Sequence, residues 1–139
     1  RACLLHMERG SRIIEVASAA AFCPLPYMNV YAASKAFVLR YTRALRWELH
    51  GSGITITALC PTCVKTGFEA QARKSGNARA VNHLLFAQNA STVVSRALFM
   101  NRMHAAVACC SIPSFCLRII GKIVPNCITM WGWNLIRRL

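Results

Sequence analysis

The chain has 139 residues, 55% of them apolar, and its 17 Lys and Arg face 4 acidic residues, for a formal charge of +13. That length and apolar content allow one domain with a core and exclude a disordered chain. The charge favours anionic partners such as cofactor phosphates or lipid headgroups, but the basic residues are scattered and no basic–aromatic module occurs, so nucleic acid is not expected.

The opening, "RACLLHMERGSRIIEV", has no initiator methionine and reads as the end of a helix running into a strand, so the chain is expected to start mid-domain. "SRIIEVAS", residues 11–18, is a β-branched run after a Gly-Ser turn and predicts a buried strand. "FCPLPYMN", residues 22–29, holds two prolines and predicts a loop. From Val30 to about His50 the pattern is helical, with Ala33, Phe37, Tyr41, Ala44, Leu45 and Leu49 as its apolar stripe. The glycines of "HGSG" end that helix. "ITITALC", residues 54–60, predicts a second strand, stopped by Pro61. Residues 65–82 are polar and read as a flap with a helical piece. Residues 90–102 predict a helix capped by Ser91, and residues 104–112 a third strand. Strands alternating with helices define an α/β fold: part of a doubly wound, Rossmann-like parallel sheet with helices on both faces.

Residues 113–139 differ from the body formed by residues 1–112. They are apolar and basic, with Arg118, Lys122, Arg137 and Arg138 among isoleucines and Trp131 and Trp133. The longest uncharged stretch, residues 123–136, is too short for a span of roughly 20 residues. Two readings stand: a helix in peripheral contact with a membrane, or one closing the core or a dimer interface.

The eight cysteines follow no disulfide-domain spacing, and no secretory signal is visible, so reduced thiols in a cytoplasmic protein are expected, with membrane association left open by the tail described above. Cys60-Pro-Thr-Cys63 is a C-x-x-C, but no second such pair or paired histidine completes a zinc site, and no metal is expected. Cys109 and Cys110 are expected on opposite sides of their strand as packing residues. His6, His50, His83 and His104 are isolated in sequence, and no Gly-x-Ser-x-Gly elbow suggests a hydrolase.

The chemistry concentrates in "ASAAAFCPLPYMNVYAASKAF", residues 17–37. Tyr31 and Lys35 stand four apart near the start of the predicted helix, on one face. An ammonium beside a phenol favours the phenolate, which suits the phenol to proton transfer. Ser18 closes the preceding strand, at the sheet edge where open α/β sheets bind ligands.

"YAASKAF", with Ser18 thirteen residues before Tyr31, and the strand followed by Pro61-Thr62-Cys63-Val64-Lys65-Thr66, resemble the short-chain dehydrogenase/reductase family over residues 5 to about 110. The resemblance implies an NAD(P)-dependent oxidoreductase that interconverts a carbonyl and a secondary alcohol on a small molecule. Tyr31 would be the general acid/base. Lys35 would bind the nicotinamide ribose and tune Tyr31, and Ser18 would polarise the substrate oxygen. Pro61, Val64 and Thr66 would hold the nicotinamide, with NAD or NADP as cofactor. It also implies a homo-oligomer. The family's glycine after Pro61 stands here as Thr62, and no Gly-x-x-x-Gly-x-Gly occurs in the 139 residues, so the chain by itself is expected to be inactive. Arg73, Lys74 and Arg79 are expected on a solvated flap face rather than on an anionic substrate. The alternative is a non-catalytic, membrane-peripheral or interaction module that retains the fold.

Overall fold

The computed structural model describes residues 2–67 and 87–136. Arg73, Lys74, Arg79, His83, Arg137, Arg138 and the expected flap beyond Gly67 lie outside the described residues.

A 3-10 turn, Ala2–His6, leads into strand β1, Arg12–Val16. Helix α1, Asn29–Glu48, carries the chain to strand β2, Thr55–Leu59, and helix α2, Ala90–Arg102, carries it to strand β3, Val107–Ala108. The strands are parallel in the order β1-β2-β3, with Arg12 opposite Thr55, Val16 opposite Leu59, and Leu59 opposite Ala108. Parallel pairs require crossovers, and both are helical here.

The central strand explains the two-sided core. Every residue of β2 is buried, and its side chains alternate between the two faces. Ala58 and Cys60 turn to the α1 side, where they meet Leu39, Ala17 and Val107. Leu59 turns to the α2 side and packs with Val93, Ala97 and Ala108. Cys109 joins the first cluster and Cys110 the second, on opposite sides as the sequence predicts.

Buried polar groups in this core are paired through defined contacts. Asn101 on α2 is 1% exposed, and its amide donates to the Ile13 carbonyl and to Thr57 Oγ1, each at 3.0 Å. Thr57 in turn donates to the Ala105 carbonyl at 2.7 Å. Leaving such groups unpaired would cost about 1–3 kcal/mol each, so this small network fixes the docking of α2. On the other face, Arg46 near the end of α1 donates to the carbonyls of Ile56 at 2.9 Å and His104 at 2.6 Å. Gly51 and Gly53 then turn the chain at φ of 84° and 83°, a conformation that glycine adopts without steric cost.

Several sequence expectations need correction. The buried face of α1 is Ala32, Leu39, Thr42 and Leu45, whereas Ala33, Phe37, Tyr41 and Ala44 are exposed. Phe37, at 69% exposure, stacks on Tyr41 with ring centroids 6.0 Å apart. The cap of α2 is Asn89 rather than Ser91, and it makes no side-chain capping bond. The third strand covers two residues of the expected nine-residue span: His104 before it takes a positive φ of 55°, and beyond it the side chains of Gln88 and Arg96 bond the Cys110 carbonyl. Ser111 then caps helix α3, Ile112–Ile123, accepting from Ser114 N at 3.3 Å, and helix α4, Asn126–Ile136, follows Pro125. The expected tail boundary at residue 113 therefore falls one residue inside α3. No helix among the described residues is long and apolar enough to cross a membrane.

Candidate active site

Ser18 follows β1 by two residues, in extended backbone with φ of −168°. It caps a 3-10 turn, Ala19–Ala21, that the proline-containing loop continues. Its Oγ accepts from Ala20 N at 3.2 Å, which leaves the hydroxyl proton available as a donor. The side chain is buried.

Tyr31 and Lys35 lie in the first two turns of α1, both half-buried. The Lys35 ammonium stands 5.8 Å from the centre of the Tyr31 ring. It also donates to the carbonyl of Val16, the last residue of β1, at 3.1 Å. An ammonium carries three N–H donors, so this anchor leaves two for a ligand. The anchor holds the pair at the C-terminal end of β1, two residues from Ser18.

The sheet register brings the second segment to the same edge. Val16 pairs with Leu59, and the pattern continues past the strand ends: Ala17 N donates to the Leu59 carbonyl at 2.9 Å, and Ala19 N to the Pro61 carbonyl at 2.8 Å. Pro61 is thus stapled to the residue after Ser18. Thr62 faces Ser111, with their hydroxyls 3.2 Å apart. It is absent from the non-glycine residues with positive φ, which are Tyr27 and His104 among the described residues, so position 62 makes no conformational demand for glycine. Val64 forms a parallel bridge with Gln88: Lys65 N donates to the Gln88 carbonyl, and Gln88 N to the Cys63 carbonyl, both at 2.9 Å. In such a bridge the flanking residues make the bonds, so the peptide groups of Val64 itself point away from Gln88. Thr66 is exposed, at the end of the described part of this segment.

Cys60 of the C-x-x-C is fully buried against the sheet. Burial pushes its thiol up to about 12 from 9.0, with Cys109 adding in the same direction. A thiol held neutral in this way is a packing group and not a nucleophile. Above the unfolded thiol's value the unfolded chain binds fewer protons than the folded one, so the contribution of Cys60 to stability is constant below pH 9.0 and falls as pH rises toward about 12. Iodoacetamide at mildly alkaline pH is expected to label the exposed Cys3, Cys116 and Cys127 and spare Cys60, as read by peptide mass mapping. Labelling of Cys60 at the rate of Cys116 in the folded chain would contradict this environment.

Further contacts to the loop between Ser18 and Tyr31, and to the strand end beside it, come from the tail, and sequence reasoning did not place them. Trp133 Nε1 donates to the Pro26 carbonyl at 3.1 Å. Gly121 of α3 lies so close to Phe22 that a Cβ there would sit 2.2 Å from the Phe22 carbonyl oxygen. Ser114 donates to the Cys60 carbonyl at 2.5 Å. The available signal was the pairing of a lone glycine and a lone serine within an isoleucine-rich helix.

The short chain dehydrogenase family matches residues 1–77, more than half of the chain. This chain belongs to that family. A ketoacyl reductase, HetN, of Nostoc is 44% identical over 71 residues, which are 50% of this chain and 25% of that protein. A sulfoacetaldehyde reductase of Chromohalobacter salexigens is 40% identical over 65 residues, 47% of this chain and 26% of that protein. The matches thus span about a quarter of the length of these curated relatives. A short-chain dehydrogenase from Sphingobium yanoikuyae, solved in complex with NADPH, superposes with a TM-score of 0.61 at 27% identity, over 73% of this chain and 38% of that one. The fold is therefore the Rossmann-like α/β sheet that the alternation of elements predicts.

Proposed function

We propose that this chain supplies the catalytic half of an NAD(P)-dependent oxidoreductase acting on a carbonyl or secondary alcohol of a small molecule. The observation that carries the reading is Lys35, whose ammonium bridges the end of β1 and the Tyr31 ring. The NADPH bound by the Sphingobium enzyme and the reductase activities named for the relatives support it.

The residues present fit a nicotinamide ribose. Lys35 keeps two donors for its hydroxyls, and the Val64 peptide groups, turned from Gln88, suit a carboxamide. Thr66 and Pro61 complete that loop. The bound nicotinamide supplies the hydride. Tyr31 gives its proton to the substrate oxygen as a carbonyl becomes an alcohol, and takes it back in the reverse direction. Ser18 donates its free hydroxyl proton to the same oxygen and holds it in place. No Gly-x-x-x-Gly-x-Gly occurs in these 139 residues, and the activity is proposed for the chain joined to a segment that carries one.

The test is cofactor binding by a chimera in which a Gly-rich strand–helix half from a family member precedes Arg1. NADH and NADPH are titrated with fluorescence detection. Lys35→Met is expected to weaken binding by about 10–100-fold, the loss of one or two charge-assisted hydrogen bonds. Equal affinity in the Lys35→Met chimera would remove Lys35 from the cofactor site.

A further inference from the structure

A surface helix of a folded domain turns its apolar stripe to the core and its small or polar residues to water. Helix α3 does the reverse. Its inner face is Ser114, fully buried, Gly121, which abuts the Phe22 carbonyl, and the half-buried Leu117. Its outer face is Ile112, Phe115, Ile119 and Ile123, with Ile112 80% and Ile123 75% exposed. Helix α4 likewise leaves an apolar face outward. Trp133 turns inward to Pro26, while Ile128, Trp131 and Leu135, spaced i, i+3, i+7, are exposed. Two consecutive helices thus present one type of surface.

The charges beside this surface decide its occupant. Arg118 and Lys122 flank the outer face of α3, and no acidic residue follows Glu69 anywhere in the sequence. A second copy docking through the same face would set these cations against their counterparts with no acidic residue on either helix to offset them. An anionic lipid surface supplies both an apolar layer for the isoleucines and negative headgroups for Arg118 and Lys122. At about 1.5 Å per residue each helix is under roughly 20 Å long, so both lie in the interface and neither crosses it. Trp131, 69% exposed, has the ring type that favours headgroup depth.

We propose that the outer face of α3 and α4 docks in plane on an anionic membrane surface. The proposal is independent of the catalytic reading, since it concerns the face opposite the one that contacts Phe22 and Pro26.

The test is co-sedimentation of the full chain with vesicles of phosphatidylcholine alone or mixed with phosphatidylglycerol, with tryptophan fluorescence as a second readout. The chain is expected to partition onto the mixed vesicles with a blue shift, and far less onto phosphatidylcholine. The double variant Arg118→Gln/Lys122→Gln is expected to lower partitioning about 30-fold, at about 1 kcal/mol per cation. The triple variant Ile119→Asn/Ile123→Asn/Trp131→Gln is expected to lower it by more than about tenfold while circular dichroism stays native, because all three side chains are exposed. Three results would each overturn the proposal: a folded wild-type chain that stays in the supernatant with both vesicles; a triple variant that binds as wild type; or a concentration-dependent dimer, abolished by the triple variant, without vesicle binding.

Discussion

Tyr31→Phe is expected to lower turnover of the completed enzyme by about 10²–10⁴-fold, the usual worth of a positioned general acid. The substitution removes one oxygen and keeps the ring against which the Lys35 ammonium sits. Its cost to folding is therefore at most about that of one hydrogen bond, roughly 1 kcal/mol. Cofactor affinity is expected to hold within a few-fold, because the Lys35 anchor on Val16 is untouched. The measurement is steady-state turnover with matched thermal unfolding and cofactor titration. A folded, cofactor-binding Phe variant with turnover within tenfold of wild type would take the proton-transfer role away from Tyr31. Ser18→Ala would be a less clean probe, since its Oγ also caps the Ala19–Ala21 turn.

Gly121→Ala is expected to destabilise the chain by up to about 2 kcal/mol, against the usual preference of helices for alanine. Helix propensity alone would favour alanine by about 1 kcal/mol. The added Cβ, however, would stand 2.2 Å from the Phe22 carbonyl oxygen and 3.1 Å from Cys23 Sγ. A backbone oxygen cannot rotate aside as a side chain can, so α3 or the loop must shift, and overpacking of this kind costs about 1–3 kcal/mol or more. The overpacking term wins. Denaturant midpoints compare the two proteins; a midpoint equal to or above wild type would mean that α3 does not rest on Phe22. Because that loop joins Ser18 to Tyr31, the same variant is expected to disturb the site at a distance from it.

Much of the architecture was legible from β-branched runs, prolines and glycines. The helix read as Val30 to about His50 is Asn29–Glu48, and its glycine-rich end is where the sequence puts it. Its inner face was misread for a specific reason. The inward stripe includes Thr42, whose hydroxyl is satisfied by the Val38 carbonyl at 2.7 Å and which therefore buries as easily as an apolar residue. Phe37 and Tyr41 made the outward stripe look like the core. Tyr31 and Lys35 share the helical face of Thr42 and Leu45, so the chemistry of the pair was the better guide to which side meets the sheet.

The candidate site was legible only as proximity set by local spacing, as in the placing of Lys35 beside the Tyr31 ring. It was not legible where it depended on chain segments distant in sequence. The staple from Ala19 to Pro61, the bridge from Val64 to Gln88 and the grip of Trp133 on Pro26 join residues far apart, and no pattern within any one window encodes them. The short third strand is a similar case, since two side chains claim the carbonyl that a longer strand would have used.

Arg46 and Lys35 clasp the sheet from opposite ends of one rigid rod, the first at Ile56 and His104, the second at Val16. A helix advances about 100° per residue, so inserting a single residue between them would swing one clasp a quarter turn away from its carbonyl. The length of that interval is therefore fixed as firmly as the identity of any side chain in it, while its outward-facing positions remain free to vary.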